Sequence, residues 1–98
     1  MAKIRHLAVL ALKDGVDRAK IAAAMELLKD RVPGFTGATY GEDAGLKAGN
    51  GGFGVCFDFP DEAAYQKWDK DPEHERIRRE LIFPFVTGIS RVQFRIDD

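Results

Sequence analysis

The 98 residues predict an α+β fold: a four-stranded antiparallel sheet with two helices packed on one of its faces. Three observations carry this expectation. Phe53, Val55, Phe57 and Phe59 alternate with Gly54, Cys56 and Asp58, the period-two pattern of a half-buried strand. Ile21, Met25, Leu28 and Val32 recur at the spacing of one helical face. Turn-forming residues then separate the segments into strand, helix, strand, strand, broken helix, strand, the split βαβ order of a ferredoxin-like arrangement.

The first strand runs from Ile4 to Leu12 and has two apolar faces, one of Ile4, His6, Ala8, Leu10 and Leu12, the other of Leu7, Val9 and Ala11. Asp14-Gly15 marks a turn and Asp17 is placed to cap the first helix. Pro33-Gly34 ends that helix, because proline disfavours a helical residue before it and glycine accepts unusual dihedrals. A second strand is expected from about Phe35 to Tyr40, and a long hairpin loop from Gly41 to Gly52. After the third strand, Pro60-Asp61-Glu62 opens a short helix carrying Ala64, Tyr65 and Trp68. Asp71-Pro72 restarts helical structure, with aspartate as cap and proline in the first turn. That part places His74, Ile77 and Leu81 on one face, and Pro84 and Gly88 close it. Val92, Phe94 and Ile96 form the last strand.

Residues 1–98 are expected to form one domain. With 15 basic and 16 acidic residues the formal charge is -1, which provides no positive field for nucleic acid or anionic lipid. No apolar run approaches the ~20 residues needed to span a bilayer, and the amino end lacks the layout of a signal peptide, so a cytoplasmic protein is expected. Cys56, the single cysteine, sits in an apolar strand where packing is its expected role. Two helices cover only one face of the sheet. Leaving Leu7, Val9 and Ala11 wet would forfeit several kcal/mol at ~25 cal/mol per Å2, so a homodimer with sheets packed face to face is predicted. Asp58, Arg91, Gln93 and Arg95 are assigned to that same outer face, pairing across the interface or lying at its rim.

The two histidines are the candidate functional groups, and both are expected to face the space between sheet and helices. His6 shares its face with Ala8, whose small side chain leaves room for a pocket. The other reading makes His6 a half-buried strand-end histidine bonded to a backbone carbonyl. His74 falls at the third helical position after Asp71, where the helix dipole disfavours an imidazolium, whereas Glu73 and Glu75 favour one. A surface histidine in a capping turn is the alternative there.

The opening IRHLAVLALK, the PGF turn, the strand and helix GVCFDFPDEAAYQKW and the DPEHERI helix start together resemble the stress-responsive A/B barrel family, dimeric α+β barrel proteins that include the plant olivetolic acid cyclase. The resemblance spans nearly the whole chain. It implies a homodimer whose subunits each keep a cavity for a small hydrophobic ligand, and, from the cyclase, a cofactor-independent aldol closure of a linear polyketide. The cyclase's strand-one histidine corresponds to His6 and its P-x-H histidine to His74, with His74 as base and His6 as donor or orienting group. The tyrosine before that motif falls at Trp68, the helix-one tyrosine near Met25 or Leu28, and a further strand histidine near Phe53. The expected lining is completed by Ala8, Val55 and Ile77, with no metal and no cofactor.

Other signals have plainer explanations. Gly49 to Gly54 matches G-x-G-x-x-G but precedes a strand, whereas a dinucleotide site needs the motif to open a helix. Asp69, Asp71, Glu73 and Glu75 suit a hard cation or a solvated helix start. Arg76, Arg78 and Arg79 face an anionic substrate or simply solvent. Tyr40, Tyr65 and the phenylalanines form a ligand box or a core. Three functions stay open: a cyclase-like enzyme on a hydrophobic carbonyl compound, a non-catalytic stress-related or ligand-carrying dimer, and a barrel enzyme that oxidises aromatics without a cofactor.

Overall fold

The computed structural model describes residues 2–96. Strand β1 (Lys3–Leu12) is followed by helix α1 (Arg18–Arg31), β2 (Gly37–Glu42), β3 (Phe53–Phe59), α2 (Glu62–Asp69), α3 (Pro72–Ile77) and β4 (Val86–Ile96). A π turn over Arg78–Ile82 and a 3-10 turn over Phe83–Phe85 join α3 to β4. The sheet is antiparallel throughout, in the order β2-β3-β1-β4. This is the ferredoxin-like α+β arrangement, with all helices on one face.

Local chemistry accounts for the boundaries. Asp17 accepts a hydrogen bond from the Ala19 amide and caps α1. Asp61 caps α2 through the Ala64 amide, and Asp71 caps α3 through the amides of Glu73 and His74. Gly34, at φ 117°, takes the chain out of α1 in a conformation that side chains disfavour. Gly51 lies against Val9, and its amide neighbour Gly52 donates to the Leu10 carbonyl, so a side chain at 51 would collide with β1. The G-x-G-x-x-G stretch is thus the end of a loop and the start of β3, with no helix after it.

Four expectations require correction. Strand β2 begins two residues later than read, because Phe35 turns in to set its ring edge-on against Phe57 at 5.3 Å before pairing starts. Strand β4 starts at Val86 and runs eleven residues, so Gly88 lies within it, opposite Ala11. Its first half was illegible because Thr87, Gly88 and Ser90 break the apolar alternation. The carboxy-terminal helix also departs from regular spacing. In the π turn Ile82 takes the buried place expected of Leu81, because a π turn shifts the inward face by one residue.

The fourth correction matters most for function. Directly opposed residues share a sheet face, and β4 pairs Ile4 with Arg95, His6 with Gln93 and Ala8 with Arg91. Arg91, Gln93 and Arg95 therefore lie on the helix face, not the outer one. The outer face instead carries Val92 opposite Leu7 and Phe94 opposite Arg5. Val9, Val92 and Phe94 are 47%, 51% and 40% exposed on it. Asp58 does lie on the outer face, but its carboxylate accepts two hydrogen bonds from Arg5 on the adjacent strand, at 2.8 and 3.0 Å. That bidentate pair holds the Asp58 carboxyl below its usual range.

Between sheet and helices, Phe57, Phe59, Ile21, Ile77 and Val32 are fully buried. Phe57 and Phe59 set their rings 5.1 and 5.0 Å from that of Trp68, building one aromatic wall. No helix among the described residues is long and apolar enough to cross a membrane.

Candidate active site

Strand β1 presents every second side chain to the helices, which carries His6 inward beside Ala8. The Asp71 cap fixes the first turn of α3 and turns His74 toward the same place. Both imidazoles are buried, at 9% and 5% exposure, so the surface reading of His74 does not hold. They flank one indole: the Trp68 ring lies 5.7 Å from His6 and 4.0 Å from His74, centroid to centroid. Tyr65, one helical turn before Trp68, sits 5.6 Å from His6 and 6.2 Å from Trp68, so the three rings form one cluster. Together these groups line a cavity of about 80 Å3.

Each histidine is held by a different kind of partner. His74 Nδ1 lies 2.9 Å from the Trp68 carbonyl oxygen. An oxygen of that kind only accepts, so Nδ1 carries the proton and Nε2 keeps its lone pair. His6 Nδ1 lies 2.8 Å from the side-chain nitrogen of Gln93. That amide nitrogen donates, so His6 Nδ1 accepts and its proton sits on Nε2. Both rings are thus held through Nδ1 and differ at Nε2, which is an acceptor on His74 and a donor on His6. The backbone-carbonyl reading of His6 gives way to a side chain from the adjacent strand.

Electrostatics keeps both rings neutral. Burial lowers His6 from 6.5 to about 4; Asp69 opposes this, and Arg91 and His74 reinforce it. Burial also lowers His74 and Arg78 reinforces that, against the Trp68 hydrogen bond, Asp69 and Asp71, which raise it. Glu73 does not play the part assigned to it, because its carboxylate accepts from Arg76 at 2.6 Å. Tyr65 is pushed up, chiefly by burial, and remains a protonated phenol. The Trp68 indole N–H is buried without an acceptor among the described residues, a donor left unsatisfied at about 1–3 kcal/mol.

This arrangement makes stability depend on acid. A His6 pKa of about 4 in the fold against 6.5 in the unfolded chain means that the unfolded state takes up the proton first as pH falls. The contribution is complete above pH 6.5 and is lost progressively down to about pH 4, amounting to at most about 3 kcal/mol. His74 acts in the same direction. Urea titrations at pH 7.0 and 4.5 should show a larger loss for the wild type than for His6→Gln. An equal loss would mean that His6 is not buried in its neutral form.

Of the residues expected in the lining, Ala8, Met25, Leu28, Val55 and Trp68 do line the cavity with His6 and His74. Phe53 and Ile77 do not; both are packed in the core, 2% and 0% exposed. Tyr65, Asp69, Arg78, Ile82, Phe83, Ile89 and Arg91 also line it. Tyr65 was detectable as the residue one turn before Trp68. Arg91 and Gln93 were hidden by the face misassignment of β4. Arg78 donates to Asp69 Oδ1 at 3.0 Å and to the Asp69 carbonyl at 3.1 Å, so it faces the cavity, whereas Arg76 and Arg79 stay outward with Glu73 and Glu80. Three of the four acids in the run are likewise engaged: Asp69 by Arg78, Asp71 by its capping bonds and Glu73 by Arg76.

The model of a family described as Stress responsive A/B Barrel Domain matches residues 4–96. Among solved structures, a dimeric ferredoxin-like protein of unknown function from Thermobifida fusca YX is 28% identical, with a TM-score of 0.85 over 97% of this chain and 92% of that one. A hydroxynitrile lyase from Passiflora edulis is 18% identical, with a TM-score of 0.83 over 99% and 95%. The cofactor-independent oxygenase SnoaB from Streptomyces nogalater is 10% identical, with a TM-score of 0.78 over 100% and 96%. No curated protein matches the chain by sequence.

Proposed function

Because the chain belongs to the stress responsive A/B barrel domain family, we propose that it is a cofactor-independent acid–base enzyme acting on a small carbonyl compound, with His74 as base and His6 as hydrogen-bond donor. The observation that carries this reading is the opposite protonation of two buried imidazoles at one cavity, set by the Trp68 carbonyl and the Gln93 amide. A lyase and an oxygenase share the backbone, so the fold alone does not choose the reaction.

In the proposed step His74 Nε2 removes a proton from the carbon next to the carbonyl. The electron pair of that C–H bond becomes the enolate, and His6 Nε2–H donates to the oxygen on which charge develops. The enolate carbon then either attacks a second carbonyl in an aldol closure, whose C=O π pair becomes an alkoxide that takes the proton from the His74 imidazolium, or takes that proton back itself; either way His74 returns to its neutral form. At about 80 Å3 the cavity admits the reacting end of a molecule rather than a whole polyketide chain. Neutral rings at pH 7 suit this chemistry, because an imidazolium at position 74 has no lone pair to use.

The direct test is exchange of the hydrogens next to the carbonyl of butanone in heavy water, followed by proton NMR. Wild-type protein should exchange them faster than free imidazole at the same concentration. No acceleration would remove the catalytic reading and leave a ligand-binding protein.

The same proposal includes a homodimer. The exposed apolar surface of Val9, Val92 and Phe94 is what a facing sheet would cover, and the similar protein from Thermobifida fusca is described as dimeric.

A further inference from the structure

The cavity opens beside a groove of about 470 Å3, and the two share Asp69, Arg78, Phe83 and Arg91 as their common rim. The interior wall is apolar, formed by side chains such as Leu10, Met25 and Ile82. The rim is charged. Arg78 is committed to Asp69 through two hydrogen bonds. Arg91 is not: among the described residues its guanidinium has no hydrogen-bond or ion-pair partner. Its position is fixed by strand register, opposite Ala8 on the helix face and two residues from Gln93, the partner of His6. Its charge is felt by both His6 and Tyr65. Arg79 and Glu75 also reach the groove, which gives it three guanidinium groups against two carboxylates.

A planar guanidinium with its donors unused, at the mouth of an apolar cavity, suits a bidentate carboxylate. Building on the acid–base reading, we propose that the substrate is an oxo acid, with its carbonyl end between His6 and His74 and its carboxylate on Arg91 at the rim. The small interior supports this division, because a ligand longer than the cavity must continue through the rim into the groove. The carboxylate fixes which end enters first, so Arg91 selects the substrate class and takes no part in proton transfer.

Two neutral-versus-charged probes of equal size decide the matter: 4-oxopentanoate and 4-oxopentanamide, titrated into the intact protein by isothermal calorimetry at low ionic strength. Wild type should bind the acid at least about tenfold more tightly than the amide. Arg91→Gln should remove that preference while leaving amide affinity unchanged, and Arg91→Glu should reverse it. Equal binding of both probes by the wild type, or equal weakening of both by Arg91→Gln, overturns the oxo-acid assignment but leaves the butanone exchange test standing. Failure of 4-oxopentanoate to bind the wild type at millimolar concentration overturns the assignment, and the exchange test then decides the acid–base reading separately.

Discussion

Glutamine in place of His74 is expected to lower butanone exchange by about 10²–10⁴-fold, the range for loss of a positioned general base. Glutamine is a sharper probe than alanine here. Its amide N–H can still donate to the Trp68 carbonyl, which His74 Nδ1 now satisfies at 2.9 Å. Alanine would leave that carbonyl unpaired in a buried position, costing about 1–3 kcal/mol and confusing catalysis with folding. The amide of glutamine cannot take up a proton at neutral pH, so the variant separates the two roles. Retention of exchange by a folded His74→Gln protein would show that the ring is a structural group of the α3 turn. His6→Gln should give a smaller loss, because an amide can still donate to an enolate oxygen.

The second large effect concerns the outer face. Phe94→Asp is expected to weaken a homodimer by about 3 kcal/mol or more, a hundredfold or greater rise in the dissociation constant. Two facts set that size. Burying an aromatic side chain stabilises by about 1.5–3 kcal/mol, and a two-fold interface counts each substitution twice. A buried carboxylate without a cation adds to the loss. The neighbouring Arg5 offers little relief, because both Asp58 oxygens already engage it. Sedimentation velocity at micromolar concentration checks this: the wild type should run as a dimer and the variant as a monomer. A wild type that sediments as a monomer would remove the facing-sheet arrangement.

Most of the fold was legible because its signals are local. The aspartates at 17 and 71 cap their helices as expected, the short helix opens after Pro60-Asp61 as expected, and the alternation from Phe53 to Phe59 is buried at every second position. The candidate pair His6 and His74 was also reachable, one from strand alternation and one from its place after Asp71-Pro72. What escaped depends on register and on irregular turns. Nothing local tells whether Arg91 and Gln93 face helices or solvent. That follows from pairing with β1 across more than eighty residues of chain, and an inward polar face contradicts the usual apolar-in pattern. Tautomers were illegible for the same reason, since the partners that set them are a β4 side chain and an α2 carbonyl. Phe53 enters the expected lining through the family resemblance and Ile77 by sharing a helical face with His74, yet packing closes around both.

The π turn at Arg78–Ile82 works as a phase adjuster within one continuous coil. An α-helix continued from Ile77 would keep facing the core along a single line. The extra residue in the turn rotates everything after it, so Ile82 rather than Leu81 comes into line with Ile77 and reaches the chamber beside Arg78 at the start of the turn. One short segment therefore serves two surfaces of unlike chemistry, and a single insertion or deletion there would rewire the chamber's wall without touching a strand.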